Sequence, residues 1–359
     1  MSPTPPAADL PFDVDALERY LRQHVDGFEG TLHIARCKSG QSNPTFLLET
    51  PGRRYALRAK PAPKSQLLPS AHAVEREYRV QSALYGGPVP VARTYCLCED
   101  ETLVGRAFYV MDFVDGRVLW DPSLPGMTPA ERGAIYAELN RVIADLHTID
   151  FAKLGLGDYG KPGNYLVRQI ERWTKQYVAS RTKANEAMER LIDWLPRNVP
   201  AEENSQVTLV HGDYRLDNVI FHPTEPRILA VIDWELSTLG HPLADLAYYL
   251  MSWHITPGRM RGLAGVDLAT LGIPDEAACV ASYEKRVGRR VSGHWNFYLT
   301  YNLFRLAAIV QGIAKRVELG TASNPQTTDD PGKSPAADYS DRARWLAELG
   351  WRCAQEQAQ

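Results

Sequence analysis

The chain has few cysteines, five in 359 residues, and they are scattered. Cys37, Cys96, Cys98, Cys279 and Cys353 form no CxxC pair and leave one over, which excludes a disulfide framework and a thiolate zinc site. They are expected as reduced, buried small hydrophobes in a cytoplasmic setting. Long hydrophobic runs are missing too. No apolar stretch reaches the roughly 18 residues of a membrane span, and the opening Met-Ser-Pro-Thr-Pro-Pro has neither the basic nor the apolar region of a signal peptide. Nor does one sign of charge dominate. Forty Lys and Arg stand against 43 Asp and Glu, and the balance holds locally, with 13 basic and 12 acidic residues up to Phe108. No nucleic-acid-sized positive field exists, so neither nucleic acid nor membrane is expected as a partner. Internal repeats are absent, and nothing in the sequence sets the oligomeric state.

What remains is an ordinary globular composition, 44% hydrophobic and 23% charged, with a length that suggests two lobes. Val14, Leu17, Leu21 and Val25 have helical spacing behind the N-cap candidate Asp13, an opening helix outside the catalytic core. Thr31 to Arg36, Thr45 to Glu49 and Arg54 to Lys60 read as strands. Between the first two, Lys38-Ser39-Gly40-Gln41-Ser42-Asn43 is a candidate phosphate loop, because a glycine among small polar residues lets backbone N–H groups approach phosphate oxygens. In the third strand, period two puts Tyr55, Leu57 and Ala59 on one face and Arg58 and Lys60 on the other. A helix follows from about His72 to Tyr85, with Glu75 and Glu77 on different faces, and Arg106 to Phe113 reads as an edge strand. Thr128-Pro129-Ala130-Glu131 is a capping box opening a helix to His147. Helical patterns continue from Tyr165 to Trp194 and from Asn296 to Arg316, where Tyr298, Tyr301 and Arg305 either line a cleft or belong to a core helix with a snorkelling arginine. Gly320 to Ser340 reads as a long loop, with a last helix from Asp341 to Trp351.

The chemistry concentrates between Leu209 and Asp245. His211-Gly212-Asp213-Tyr-Arg215-Leu-Asp217-Asn218 is followed about a dozen residues later by Ile232-Asp233-Trp234-Glu235. Two carboxylates and an amide at the ends of short β-branched runs suit a magnesium–nucleotide site, since hard oxygen ligands favour an ion that leans on waters and substrate phosphates for the rest of its shell.

At these residues the chain resembles the aminoglycoside phosphotransferase superfamily, the small-molecule branch of the protein-kinase-like fold, through His-Gly-Asp-x4-Asn and Ile-Asp-Trp-Glu. The longer string through His222-Pro223 resembles the phosphotransferase domains associated with acyl-CoA dehydrogenases. The resemblance implies an α+β, bilobal fold: a small N-lobe with an antiparallel sheet (residues 1–112) and a larger, mainly helical C-lobe (113–359). It implies ATP and Mg2+, with Asp213 as base or hydroxyl-orienting carboxylate, Arg215 balancing charge, and Asn218 and Asp233 holding the metal. Ser42 and Asn43 would face phosphates, as would Arg58, with Lys60 as the other candidate cation and Glu77 as the helix carboxylate pairing with it. Adenine would meet Met111 and backbone groups of Asp112 and Val114. His211 would support the loop, and Asp245 would brace its backbone. The acceptor is a small-molecule hydroxyl, most specifically a hydroxyacyl-CoA or hydroxy acid. An aminoglycoside or amino-alcohol kinase and a nucleotide-binding pseudokinase remain alternatives, the latter because Arg58 stands where many relatives carry lysine.

Overall fold

The computed structural model describes residues 13–37, 43–61, 73–291, 293–322 and 334–356. In chain order its first elements are α1 Val14–His24, β1 His33–Arg36, β2 Thr45–Thr50, β3 Arg53–Ala59, α2 Val74–Leu84, β4 Thr94–Cys98, α3 Glu101–Val104 and β5 Phe108–Asp112. Helices α4 Pro129–Thr148, α5 Tyr165–Ser180 and α6 Glu186–Arg197 follow, then β6 Thr208–Val210, β7 Val219–Phe221, β8 Ile228–Val231 and β9 Thr238–Gly240. The rest is helical: α7 Pro242–Leu250, α8 Leu268–Leu271, α9 Glu276–Val287, α10 Trp295–Glu318 and α11 Pro335–Glu356. This is the expected α+β architecture, an antiparallel sheet early and helices late.

The chain divides into two compact units. The first comprises 1–118, 152–156 and 217–237. Its five-stranded sheet has the order β1-β2-β3-β5-β4, every pair antiparallel. Strand alternation assigns the faces. Tyr55, Leu57, Ala59, Phe108 and Val110 pack with Phe46, Leu48 and with Leu17 and Leu21 of α1. The opening helix, expected outside the catalytic core, thus covers one face of this sheet. The intervening residue Tyr109 packs with Val74 of α2 on the other face, where Met111 joins it. One correction concerns β5: expected at an edge, it lies inside, between β3 and β4. Its missing neighbour, Thr94–Cys98, is covered on both sides, with Cys96 and Cys98 in one cluster and Leu97 against the other, so it lacks the polar alternation of a half-exposed strand. The connector beyond Asp112 stays with this unit, because Arg117 and Phe221 exchange backbone hydrogen bonds of 2.9 Å in both directions. Gly116 permits that approach, since a Cβ there would lie 2.3 Å from the Phe221 carbonyl oxygen.

The second unit holds 119–151, 157–216 and 238–359. α4 carries the expected capping box, with Thr128 and Glu131 each accepting from the other's backbone N–H. α10 is buried along most of its length and packs against α11, α5 and α7. Here too the sequence reading needs correcting: residues 335–340, expected as loop, form the first turns of α11, because Pro335 is pre-organised for a helix start and Ala336-Ala337 favour its continuation. The strands β6 and β9 pair antiparallel, with Val210, just before His211, opposite Thr238. Among the described residues no helix is long and apolar enough to cross a membrane.

Candidate active site

In the first unit the site residues meet on the α2 face of the sheet. Arg58 points from β3 toward α2, where its Nε lies 2.7 Å from Glu77 Oε2 and its Nη2 lies 2.5 Å from Asp233 Oδ1. Asn43 donates to Glu77 Oε1 at 2.6 Å, and the Tyr109 hydroxyl donates to Oε2 at 3.2 Å. Arg58, Glu77 and Asn43 are buried; the Asp233 side chain is a third exposed. Burial works against the charged guanidinium, but Glu77 and Asp233 outweigh it and raise the pKa of Arg58. Burial pushes the Glu77 carboxyl up, with Arg58 and Asn43 pulling it back. The carboxylates that hold Arg58 charged keep this an ionic cluster.

Asn218 and Asp233 come together through a hairpin. Val219 of β7 pairs with Val231 of β8, so the residues flanking them leave the ladder side by side, and Ile232 N–H bonds the Asn218 carbonyl at 3.0 Å. Asp233 then takes φ 68° and ψ 57°, a left-handed conformation that a short polar side chain tolerates. An amide oxygen and a carboxylate at this corner are a hard donor pair, which fits magnesium better than a softer metal. Among the described residues no cluster of three or more His, Cys, Asp or Glu competes with it.

The other predicted nucleotide contacts divide. Lys60 pairs with Glu75 at 3.3 Å, half-exposed, while Arg58 takes Glu77. Asn43, expected at a phosphate, spends its amide on Glu77; Ser42 lies outside the described residues. Met111 packs on the α2 face. The Asp112 N–H donates to the Arg93 carbonyl at 2.8 Å, so the backbone group this residue can offer a base is its own carbonyl. Val114 follows in the half-buried connector.

Residues 211–216, which open the expected catalytic loop, lie in the second unit. Gly212, at φ 81°, makes a turn that L side chains rarely adopt. Just before that turn, two successive N–H groups converge on one carboxylate: His211 N–H reaches Asp245 Oδ2 at 2.7 Å and Gly212 N–H reaches Oδ1 at 2.8 Å. Asp245 is the expected brace. Burial raises its pKa, yet the His147 hydrogen bond and charge and the His211 N–H outweigh burial and hold it below the ordinary value. His147, 3.2 Å from Asp245 Oδ2, bonds the Tyr283 hydroxyl through its other nitrogen, a structural role as expected. His211 Nδ1 accepts from the Asp213 N–H at 3.1 Å, supporting the loop. Asp213 itself is half-buried, 3.5 Å from Arg215 Nε.

Two residues here escaped sequence reasoning. Tyr248 lies one turn beyond Asp245 on α7, and its phenol pKa is raised by burial first and then by the Asp213 carboxylate. Arg305, expected to line a cleft or to snorkel, does neither: it is 4% exposed and donates through Nη2 to the Gly212 carbonyl. The i, i+3 spacing of Asp245 and Tyr248 was the available signal for the first; none existed for the second.

A family model for the phosphotransferase enzyme family matches residues 33–278. The chain belongs to that family. Mouse acyl-CoA dehydrogenase family member 10 is 42% identical to this phosphotransferase-family chain over 340 residues, covering 94% of it and 31% of the mouse protein. Human acyl-CoA dehydrogenase family member 11 is 42% identical over 320 residues, covering 87% and 40%. The chain therefore spans well under half the length of these curated relatives, and the likeness to dehydrogenase-associated phosphotransferase domains is borne out. A solved structure from Ralstonia eutropha JMP134, described as a candidate aminoglycoside phosphotransferase, is 59% identical with a TM-score of 0.86, covering 96% of this chain and 99% of that one. Aminoglycoside phosphotransferase APH(4)-Ia, solved with ADP and hygromycin B, shares the fold at 15% identity and a TM-score of 0.58, covering 94% and 98%.

Proposed function

We propose that this protein moves the γ-phosphoryl group of ATP to the hydroxyl of a small, negatively charged acceptor, a hydroxy acid or hydroxyacyl-CoA. The observation that carries the phosphotransfer reading is the buried Glu77–Arg58–Asp233 set, which fixes a strand cation between a helix carboxylate and the carboxylate on the metal side. Asp213 orients the acceptor hydroxyl and takes its proton as the new O–P bond forms and ADP leaves. Arg215, close by, balances charge around Asp213. Asn218 and Asp233 would hold a magnesium ion, which when bound neutralises charge on the nucleotide's phosphates. Residues 38–42 and the Asp112 carbonyl are the proposed phosphate and adenine contacts.

The anionic acceptor rests on charge. Arg215 lies 3.5 Å from Asp213, the buried Arg305 adds positive charge without lining a cleft, and Arg172 lies 5.2 Å from the Trp173 ring centroid. Such surroundings favour carboxylate or phosphate groups over a polycationic aminoglycoside. The test is ADP release from Mg-ATP across hydroxyacyl-CoAs, free hydroxy acids, aminoglycosides and amino alcohols, with Asp213→Ala as control. Release with an acidic acceptor, lost in the control, is the expected result. Preference for an aminoglycoside refutes the acceptor class, and Mg-ATP binding without turnover of any acceptor favours a pseudokinase.

A further inference from the structure

Arg305 is a buried cation without a carboxylate at ion-pair distance among the described residues. Burying a charge that way costs several kcal/mol unless other groups compensate. The compensation visible is unusual. The guanidinium sits 4.7 Å from the Tyr248 ring centroid and 5.3 Å from that of Trp173, and its Nη2 donates to the carbonyl of Gly212. Burial lowers its pKa, and the surrounding groups Tyr301, Tyr248, Tyr165 and Asp213 more than restore it, so it stays charged. A leucine would fill a helix core at far lower cost. What only an arginine supplies here is a planar donor that stacks on two rings and still reaches the peptide preceding Asp213.

The loop is thereby held on both sides of Gly212. The N–H of Gly212 goes to Asp245 and its carbonyl goes to Arg305. We propose that Arg305, set against the rings of Tyr248 and Trp173, is a positioning residue that fixes the Gly212–Asp213 peptide. This rests on the reading of Asp213 as the hydroxyl-orienting group. An in-line transfer is sensitive to small displacements, and about 1 Å at such a group costs on the order of 100-fold in rate.

The test uses the full chain with Arg305→Met, Arg305→Lys and Tyr248→Phe, and two readouts. The first, amide hydrogen exchange over residues 210–215, needs no substrate. Arg305→Met is expected to speed exchange there by tenfold or more while α4 keeps its parental protection, which also checks that the variant folds; unchanged loop exchange overturns the proposal. The second is turnover of Mg-ATP, with water or the best acceptor of the panel. Arg305→Met is expected to lose about 100-fold in kcat with KM for Mg-ATP within about twofold, Tyr248→Phe, which keeps the ring against Arg305, to lose less, and Arg305→Lys is expected to recover part of the loss. A parallel rise in KM with kcat intact overturns it as well. If the loop loosens as expected while Asp213→Ala keeps parental turnover, the clamp stands and the role given to Asp213 fails.

Discussion

Replacing Arg58 by methionine removes the centre of the ionic cluster and keeps most of its bulk. The Glu77 side chain is 1% exposed and loses its 2.7 Å partner, keeping only the amide of Asn43 and the hydroxyl of Tyr109. Breaking a buried pair by removing one member costs about 3–5 kcal/mol, because the survivor is an uncompensated buried charge. Asp233, a third exposed, adds little, since water takes over its lost contact. The cost should depend on pH. With Arg58 gone, the main opposition to burial disappears, and the Glu77 pKa rises further above its unfolded value. An acid raised on folding contributes stability that is full below its unfolded pKa and is lost as pH rises through the folded one. The deficit of Arg58→Met relative to the parent should therefore be larger at about pH 8 than at about pH 5. Urea unfolding at both pH values, followed by a probe in the N-terminal sheet, measures it. A deficit below about 1 kcal/mol, or one flat with pH, refutes the claim that Arg58 and Glu77 form a buried, charged pair.

Further outcomes follow from the same geometry. Asn43→Ala, which takes one hydrogen bond from Glu77, should cost about 1–3 kcal/mol in urea unfolding; no loss would mean that the amide is dispensable to the cluster. Gly212→Ala forces a side chain into φ 81°, costing roughly 1–2 kcal/mol and displacing the loop, so ADP release should fall well below the parent while Mg-ATP binding measured by calorimetry persists. Asp245→Asn loses two charge-assisted N–H bonds. Because the Asp245 pKa is held below its ordinary value, its contribution is full above the unfolded pKa and disappears as pH falls through the folded one, so parent and variant should differ in melting temperature near neutrality and converge in acid. Asp233→Ala should weaken the dependence of nucleotide binding on magnesium; parental dependence, read by titrating the ion against ATP affinity, would remove Asp233 from the metal site.

Local signals made much of this legible. Period two in β3 put Arg58 opposite Tyr55 and Leu57, and the structure keeps that division, with the apolar residues in the α1-facing core and Arg58 on the α2 side. Helix phase separated Glu75 from Glu77, and they pair with different cations. The capping box fixed the start of α4. What was hidden depends on long-range packing. β4 carries no half-exposed alternation because both its faces are covered, and without it β5 looked like an edge. Arg305 lies 93 residues from the carbonyl it holds, and a buried arginine on an apolar helix has no periodicity that separates an inward from an outward aim. Asn43 closes the small polar loop expected at the phosphates, and only the fold brings Glu77 within reach of its amide.

The arginine at position 58 looked at first like a departure that weakens the case for an active enzyme. The cluster argues otherwise. A lysine offers its three donors on one compact ammonium, whereas the guanidinium spreads its contacts over a planar fork, Nε beside Glu77 and Nη2 beside Asp233. It can hold the helix with one edge while the other yields. The Asp233 oxygen now engaged by Arg58 is one of only two that this carboxylate has, so a metal ion drawing on it competes with the ion pair rather than adding to it. Glu77, buried and further held by Asn43 and Tyr109, faces Arg58 independently of Asp233. The departure from lysine is thus compatible with a site for a metal-bound nucleotide, because the contact that anchors Arg58 on the helix does not use the Asp233 carboxylate.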